Sequence, residues 1–263
     1  MNIVLYPNAK INIGLRVIAR RSDGYHDIET LFYPLETYKD ILEIVEEDSV
    51  SISFFGLPYR LPDDNPENDL CMKAYRLLCR DFDLPPVGIY LHKGIPAGSG
   101  LGGGSSDAAF TLKGLNMLFG LKLPDDALAS YAAQLGSDCA FFIYNRPMFA
   151  TGRGEKLSPF ASGSIDALSD SSRYAIRVHT PEIRISTREA YSEITPDAGG
   201  RGLDKMLSLP IGQWKEHITN DFETPVFKRH PEIAEIKNSL YGEGAVYASM
   251  SGSGSALYGI FEV

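Results

Sequence analysis

Cysteine is scarce in this chain of 263 residues: Cys71, Cys79 and Cys139 are the only three, and none forms a CxxC pair. Three thiols cannot all pair within one chain, so a reducing, cytoplasmic setting is expected. Long apolar runs are missing too. Nowhere do about 18 apolar residues follow one another, and the opening MNIVLYPNAKINIGL has no basic leader, so no targeting or membrane-spanning segment is expected. Positive charge is in deficit, with 25 Lys and Arg against 34 Asp and Glu and a net charge of -9. Such a field repels nucleic-acid backbones and anionic membrane surfaces. An anionic small molecule can still be a partner, provided that a pocket gathers basic groups and oriented backbone N–H groups.

With 44% hydrophobic and 22% charged residues, the composition is that of a globular protein and not of a disordered tail or a collagen-like rod. The length suggests one large or two medium domains, and two are favoured. Within an apolar stretch over residues 3–18, Ile11, Ile13 and Leu15 alternate with Lys10, Asn12 and Gly14, the period of a strand. Lys10 and Asn12 then share the face opposite the aliphatic side chains. Further extended segments are expected over 29–35 and 41–55. Near Asn68 the spacing turns helical, with Leu70, Ala74, Leu77 and Leu78 on one face before Pro85-Pro86. A strand resumes over 87–91. Residues 94–104 form a glycine-rich loop, after which Ser105, Ser106 and Asp107 offer N-cap chemistry to a helix bearing Ala108, Leu112, Leu115 and Leu118.

Another helix is expected over 125–135, with Gly136 as its C-terminal cap. The segment 158–172, rich in Ser and small residues, reads as a connection between two domains, 1–157 and 158–263. Beyond it come a strand over 174–179, short helices over 186–194 and 203–207, and a helix over 231–242. Strands over 246–250 and 256–261 close the chain, joined by the small-residue segment 251–255. No repeat of solenoid period occurs.

The glycine-rich loop is the most informative segment. Five glycines among residues 95–107 allow positive φ and leave the main chain open to a ligand. Because the loop runs into a helix, its N–H groups and the positive end of the helix dipole converge where phosphate oxygens can sit. The hydroxyls of Ser105 and Ser106 lie beside them. Gly98, Gly100 and Gly103 satisfy GxGxxG, but Lys93-Gly94-Ile95-Pro96 separates the strand from the turn, which disfavours a dinucleotide fold. No lysine follows the glycines, which disfavours a Walker loop. A merely flexible turn is the plainer alternative.

From Pro96 to Ser106 this loop resembles that of the GHMP kinase superfamily, small-molecule kinases that wrap ATP phosphates in such a turn. The resemblance extends through Ala9-Lys10-Ile11-Asn12, Asp23-Gly24-Tyr25-His26, Thr30-Leu31-Phe32 and Leu135-Gly136-Ser137-Asp138. It continues through Gly152-Arg153-Gly154-Glu155, Asn220-Asp221-Phe222-Glu223 and Ser251-Gly252-Ser253-Gly254, so it spans nearly the whole chain. These strings are most similar to a branch whose acceptor alcohol is carried on a cytidine diphosphate.

The resemblance implies an α+β protein of two domains, the first like domain 2 of ribosomal protein S5 and the second ferredoxin-like, with the active site between them. It also implies a second domain shorter than in many members, since Val263 follows directly on the last expected strand. Transfer of the γ-phosphoryl group of ATP is implied, with Mg2+ held mainly by phosphates and water and Ser106 as a candidate ligand. No metal-ligating cluster is singled out, and His92, His179, His217 and His230 read as structural or surface residues.

For the reaction, the resemblance makes Asp138 the group that takes or orients the hydroxyl proton, beside the apolar Cys139-Ala140-Phe141-Phe142. Lys10 would lower the alcohol's pKa and offset charge on the phosphoryl group, with Asn12 next to it. Tyr25 and His26 would bind cytosine, with the base lying between Tyr25 and Tyr191. On the nucleotide side stand Lys93, Pro96, Gly98, Gly100, Leu101, Gly102, Gly103, Gly104, Ser105 and Ser106. Adenine would lie near Asn68 and Leu70, where Asp69 replaces an Asn frequent in relatives. Ala140 replaces a frequent Pro, a change expected to be tolerated. The rival readings are another GHMP kinase acting on homoserine, mevalonate or a sugar, a ligand sensor without catalysis, and an S5-like RNA-binding module, which the -9 charge opposes.

Overall fold

Tyr6-Pro7 divides the first extended segment into β1 (Asn2–Leu5) and β2 (Asn8–Arg20), since proline has no N–H to give to a ladder. The structure, a computed structural model, describes the chain except for Arg60, Thr187, Arg188, Glu189, Ser192, Ala198, Gly200, Arg201 and the side chain of Pro62. From Asn8 to Leu15 every residue of β2 is buried, on both faces. The expected strand is there, but burial does not alternate along it: Lys10 and Asn12 face protein and are 3% and 2% exposed.

The chain forms two compact units, each discontinuous in sequence. The first comprises Met1–Lys10, Pro34–Ala97 and Gly102–Arg146, and the second Ile11–Tyr33, Gly98–Leu101 and Pro147–Val263. After β3 (His26–Lys39), the first unit contains β4 (Ile41–Glu46), β5 (Ser51–Gly56), α1 (Leu70–Leu78), β6 (Val87–Lys93), α2 (Gly103–Leu118), α3 (Asp125–Ala132) and α4 (Cys139–Tyr144). Its sheet has the order β1-β4-β6-β5, with β5 and β6 parallel and the other pairs antiparallel. Helix α2 packs on β1 and β4 and against α1 and α4. The approach is close at Gly114, where a Cβ would fall 2.7 Å from Ile44 Cδ1.

The second unit adds β7 (Met148–Thr151), β8 (Lys156–Pro159), α5 (Gly163–Leu168), β9 (Tyr174–His179), α6 (Leu203–Met206), α7 (Trp214–His217), α8 (Glu223–Arg229), α9 (Pro231–Gly242), β10 (Tyr247–Met250) and β11 (Leu257–Glu262). One sheet has the order β2-β3-β7-β8, and a second, antiparallel one the order β10-β11-β9. Helix α9 lies on β10 and β11, and Val17, Phe222, Val226, Ile233, Met250 and Leu257 belong to the core there. The whole is an α+β fold. Among the described residues no helix is long and apolar enough to cross a membrane.

Several local expectations change. Helix α2 starts at Gly103, because Gly102 turns the chain at φ 77° and no side chain caps it. Ser105, Ser106 and Asp107 thus lie inside the helix and do not cap it. Helix α3 ends at Ala132 with a right-handed cap at Ala133, so Gly136 is not its C-cap. Residues 158–172 are not bare connection: Ser162 accepts from the Ile165 N–H and starts α5, which buries Ile165 and Leu168. The helix expected over 186–194 falls partly outside the described residues.

Asn220-Asp221-Phe222-Glu223 is a brace. Asn220 Nδ2 donates to the carbonyls of Met250 and Gly252, both at 2.8 Å, and Asp221 accepts from the Val17 N–H at 2.7 Å. Glu223 accepts from the Met250 N–H at 2.8 Å, Ser249 Oγ at 3.0 Å and Lys237 Nζ at 2.6 Å, tying α8 to β10 and α9. Glu223→Ala leaves these donors unpaired in a largely buried place. It is expected to lower stability by about 3 kcal/mol, read as a fall in the urea midpoint.

Candidate active site

Asp138 sits at the turn that starts α4 but makes no cap bond with that helix. Its carboxylate is left for other partners: Oδ2 stands 3.4 Å from Lys10 Nζ, and Oδ1 accepts from Ser137 Oγ at 3.2 Å. The Lys10 side chain is 4% exposed and that of Asp138 28%, so the ammonium is sheltered while the carboxylate can still be reached. Burial pushes the Lys10 pKa below that of an ordinary lysine, and the charge and hydrogen bond of Asp138 oppose the shift. Ala140 is buried at the start of α4, a helical position that suits alanine and keeps the backbone beside Asp138 regular.

Gly102 of the glycine loop lies directly over the stem of Lys10. A Cβ on Gly102 would lie 3.1 Å from both Cγ and Cε of Lys10 and 3.0 Å from the Phe142 ring. Gly98, Gly100 and Gly102 all have positive φ, at 71°, 84° and 77°, which only glycine adopts without strain. Beyond them the N–H groups of Gly103, Gly104 and Ser105 open α2 with no side-chain cap, as an anion cradle requires. The Ser106 N–H goes to the Gly102 carbonyl at 2.9 Å. Ser106 Oγ is fully buried and has no hydrogen-bond partner among the described residues.

In the second unit the loop tip is supported by the segment before β11. Ser251 Oγ donates to the Gly100 carbonyl at 2.9 Å, and the Ala256 N–H donates to the Ser99 carbonyl at 2.9 Å. A Cβ on Gly100 would lie 2.1 Å from the Ser251 carbonyl oxygen. Asn12 belongs to the same network: its N–H donates to Ser251 Oγ at 3.2 Å, and its Nδ2 donates to Thr30 Oγ1 at 3.0 Å. Thr30 and Ser251 were not singled out from the sequence as site residues. Only their place in short matching strings could have flagged them.

The aromatic residues also lie in the second unit. His26 stacks on Tyr191, with ring centres 4.8 Å apart and planes 16° apart, and Tyr191 meets Phe222 edge to face. The ring lying on Tyr191 is thus His26, and the open ring is Tyr25, 57% exposed with the Arg153 guanidinium 4.9 Å from its centre. Asp23 orders the turn by accepting from the Tyr25 N–H at 3.1 Å. Burial, and less so Arg20, lowers the His26 pKa, so the imidazole is neutral near pH 7 and offers one donor and one acceptor.

On the expected nucleotide side, Asp69 caps α1 through the Cys71 N–H at 2.8 Å and accepts from the Tyr59 hydroxyl at 2.6 Å. Both oxygens are engaged, which gives this carboxylate a structural role of its own. Asn68 is half-buried in the preceding turn, and Leu70 Cδ1 lies 3.8 Å from where a Gly104 Cβ would be. Lys93, expected to reach nucleotide, is instead directed inward onto the buried carboxylates of Asp40 and Asp107.

Asp69→Ala removes the cap and leaves the Tyr59 hydroxyl without its acceptor. A loss of about 1–2 kcal/mol is expected in chemical denaturation, while Asp69→Asn, which keeps an acceptor for Cys71, loses less.

The family model described as GHMP kinases N terminal domain matches residues 69–146, and that described as GHMP kinases C terminal matches 206–262. The chain is 46% identical over 260 residues to the 4-diphosphocytidyl-2-C-methyl-D-erythritol kinase of Parabacteroides distasonis, covering 99% of this chain and 92% of the relative. The enzyme of that name from Bacteroides thetaiotaomicron is 48% identical over 261 residues, with coverage of 99% and 92%. A solved 4-(cytidine 5'-diphospho)-2C-methyl-D-erythritol kinase superposes with a TM-score of 0.79 at 33% identity, over 98% of this chain and 89% of that one. Homoserine kinase from Cytophaga hutchinsonii, with a TM-score of 0.63 at 16% identity over 98% and 84% of the two chains, shares the fold alone. The chain belongs to the GHMP kinases, in the 4-diphosphocytidyl-2-C-methyl-D-erythritol kinase family.

Proposed function

We propose that this protein transfers the γ-phosphoryl group of ATP to the 2-hydroxyl of 4-diphosphocytidyl-2-C-methyl-D-erythritol, a step of non-mevalonate isoprenoid synthesis in the cytoplasm. The observation that carries this reading is the glycine loop lying on the stem of Lys10, whose ammonium is paired with Asp138. Loop amides and an activated acceptor group are what phosphoryl transfer asks of a protein.

In this reading the free amides at the start of α2 hold the triphosphate. The acceptor hydroxyl gives its proton to, or is oriented by, the Asp138 carboxylate as its oxygen bonds to the γ-phosphorus and ADP leaves. Lys10 stabilises the oxygen that loses the proton and the charge spread over the transferring group. Tyr25 presents a face to the cytosine, and neutral His26 offers a donor and an acceptor to the base edge.

Mg2+ fits the residues present: Ser106 Oγ is a buried oxygen without a partner, and no cluster of three or more His, Cys, Asp or Glu suited to a metal occurs among the described residues. That donor set suits an ion held by phosphate oxygens, water and one hydroxyl. When bound, it neutralises phosphate charge.

Incubation with the cytidine diphosphate substrate, ATP and Mg2+ is expected to release ADP, with CDP competing against the acceptor; turnover of homoserine or mevalonate in its place would refute the assignment. Asp138→Asn is expected to lower kcat by about 10² to 10⁴. Because the Lys10 pKa is depressed, its charge is lost at lower pH than that of an ordinary lysine. The alkaline limb of kcat should therefore begin early and vanish in the residual activity of Lys10→Arg, whose guanidinium does not titrate.

A further inference from the structure

Both ends of the glycine loop are fastened to one buried charge cluster. Lys93 closes β6, and its ammonium donates to Asp40 Oδ2 and Asp107 Oδ2; none of the three side chains is more than 3% exposed. The other oxygen of Asp40 accepts the N–H groups of Gly94 at 2.5 Å and Ile95 at 2.8 Å, the first residues of the loop. Asp107 lies in the second turn of α2, just past the loop's end.

Glycine makes this geometry accessible. A Cβ on Gly94 would fall 2.4 Å from the Lys39 carbonyl oxygen, so any side chain there would lift the loop off Asp40. A Cβ on Gly103 would stand 3.6 Å from Lys93 Nζ, which places the ammonium directly under the first turn of α2. Burial works against the charge on Lys93, but Asp107 and Asp40 outweigh it and raise the pKa above the ordinary lysine value.

The loop's first amides and the first turn of α2 are thus tied together through one ion and its two partners. The amides that would meet a phosphate have no other side-chain restraint at the helix end, since α2 lacks a cap. Where binding depends on preorganised donors, a shift of about 1 Å can cost about 10²-fold.

We propose that Asp40, Lys93 and Asp107 are positioning residues that clamp the two ends of the phosphate loop, with Lys93 acting through the loop and not by touching the nucleotide. This rests on the reading of the protein as an ATP-dependent kinase. Removing the ammonium takes away the one donor that Asp40 and Asp107 share, which unfastens the loop start from α2. Replacing Asp107 by Asn keeps a carbonyl oxygen for Lys93, whereas Leu at that position keeps none.

The test measures MgATP binding by calorimetry, KM for ATP and for the acceptor, and amide hydrogen exchange without nucleotide, on the full chain and its Lys93→Met, Asp107→Leu and Asp107→Asn variants. Lys93→Met and Asp107→Leu are expected to weaken ATP by about tenfold or more with the acceptor KM within about twofold, and Asp107→Asn to recover most of that affinity. Exchange should rise over residues 94–107 in the first two variants only. If Lys93→Met weakens ATP while Asp107→Leu does not, Lys93 touches the nucleotide and the clamp is overturned. It is also overturned if ATP and acceptor affinities fall together with exchange rising over the whole chain. Should Lys93→Met not fold, the two Asp107 variants carry the comparison, and equal affinities would refute the proposal. A wild-type protein that fails to bind MgATP overturns the kinase reading itself.

Discussion

Burying Lys10 to 4% side-chain exposure strips its ammonium of hydration, a loss of several kcal/mol unless an anion stands close. That requirement organises the surroundings of Lys10. Asp138 is drawn to 3.4 Å, and α4 begins without using its carboxylate as a cap. A one-sided strand would have let Lys10 extend into water, where its pKa would stay ordinary and its charge would be screened. Because β2 is covered on both faces, the side chain is confined beneath Gly102, whose missing Cβ makes room for the lysine stem. The loop and the ion pair are thus fixed by the same packing.

The glycine loop itself follows from steric permission more than from attraction. Positive φ at Gly98, Gly100 and Gly102 folds it into a curl, but glycine is also the residue that loses most freedom on ordering. Flexible by composition, the loop needs outside restraint to be a preorganised cradle. Hydrogen bonds from Ser251 and Ala256 hold its tip, and Asp40 holds its first amides. The short string Ser251-Gly252-Ser253-Gly254 therefore matters for what it braces, and Asn220 matters in turn because it braces the carbonyls of Met250 and Gly252.

Periodicity made much of this legible. The strand carrying Lys10 and Asn12, the helix α1, the order of strand, glycine loop and helix, and the closing strands all follow from local spacing. Pairings between distant segments do not. Ser105-Ser106-Asp107 looks like capping chemistry, yet Gly102 starts the helix and Asp107 turns inward, because its partner Lys93 lies 14 residues earlier and Asp40 a further 53 from Lys93. Asp69 in place of an amide is explained by Tyr59, which no one-dimensional pattern links to it. His26 and Tyr191 stack although the sequence suggested a base between Tyr25 and Tyr191. Only a three-dimensional contact decides which aromatic face is open.

As proposed, a protein of net charge -9 holds two polyanionic ligands against an unfavourable overall field. Its described residues offer a division of labour. In the proposed reading phosphates meet uncharged amides at the start of α2, whose partial charges are fixed in direction and add nothing to the net field. The base would meet groups that are also uncharged: the exposed Tyr25 ring and an imidazole kept neutral by burial and stacked on Tyr191, which Phe222 supports in turn. Formal positive charge stands at a few points: Lys10, which the proposed reading sets at the reacting oxygen, Lys93 buried under the first turn of α2, and Arg153 over Tyr25. Free cations along the loop would bind any phosphate, whereas amides and a neutral base edge demand the right shape, so specificity and an acidic surface are compatible consequences of the same design.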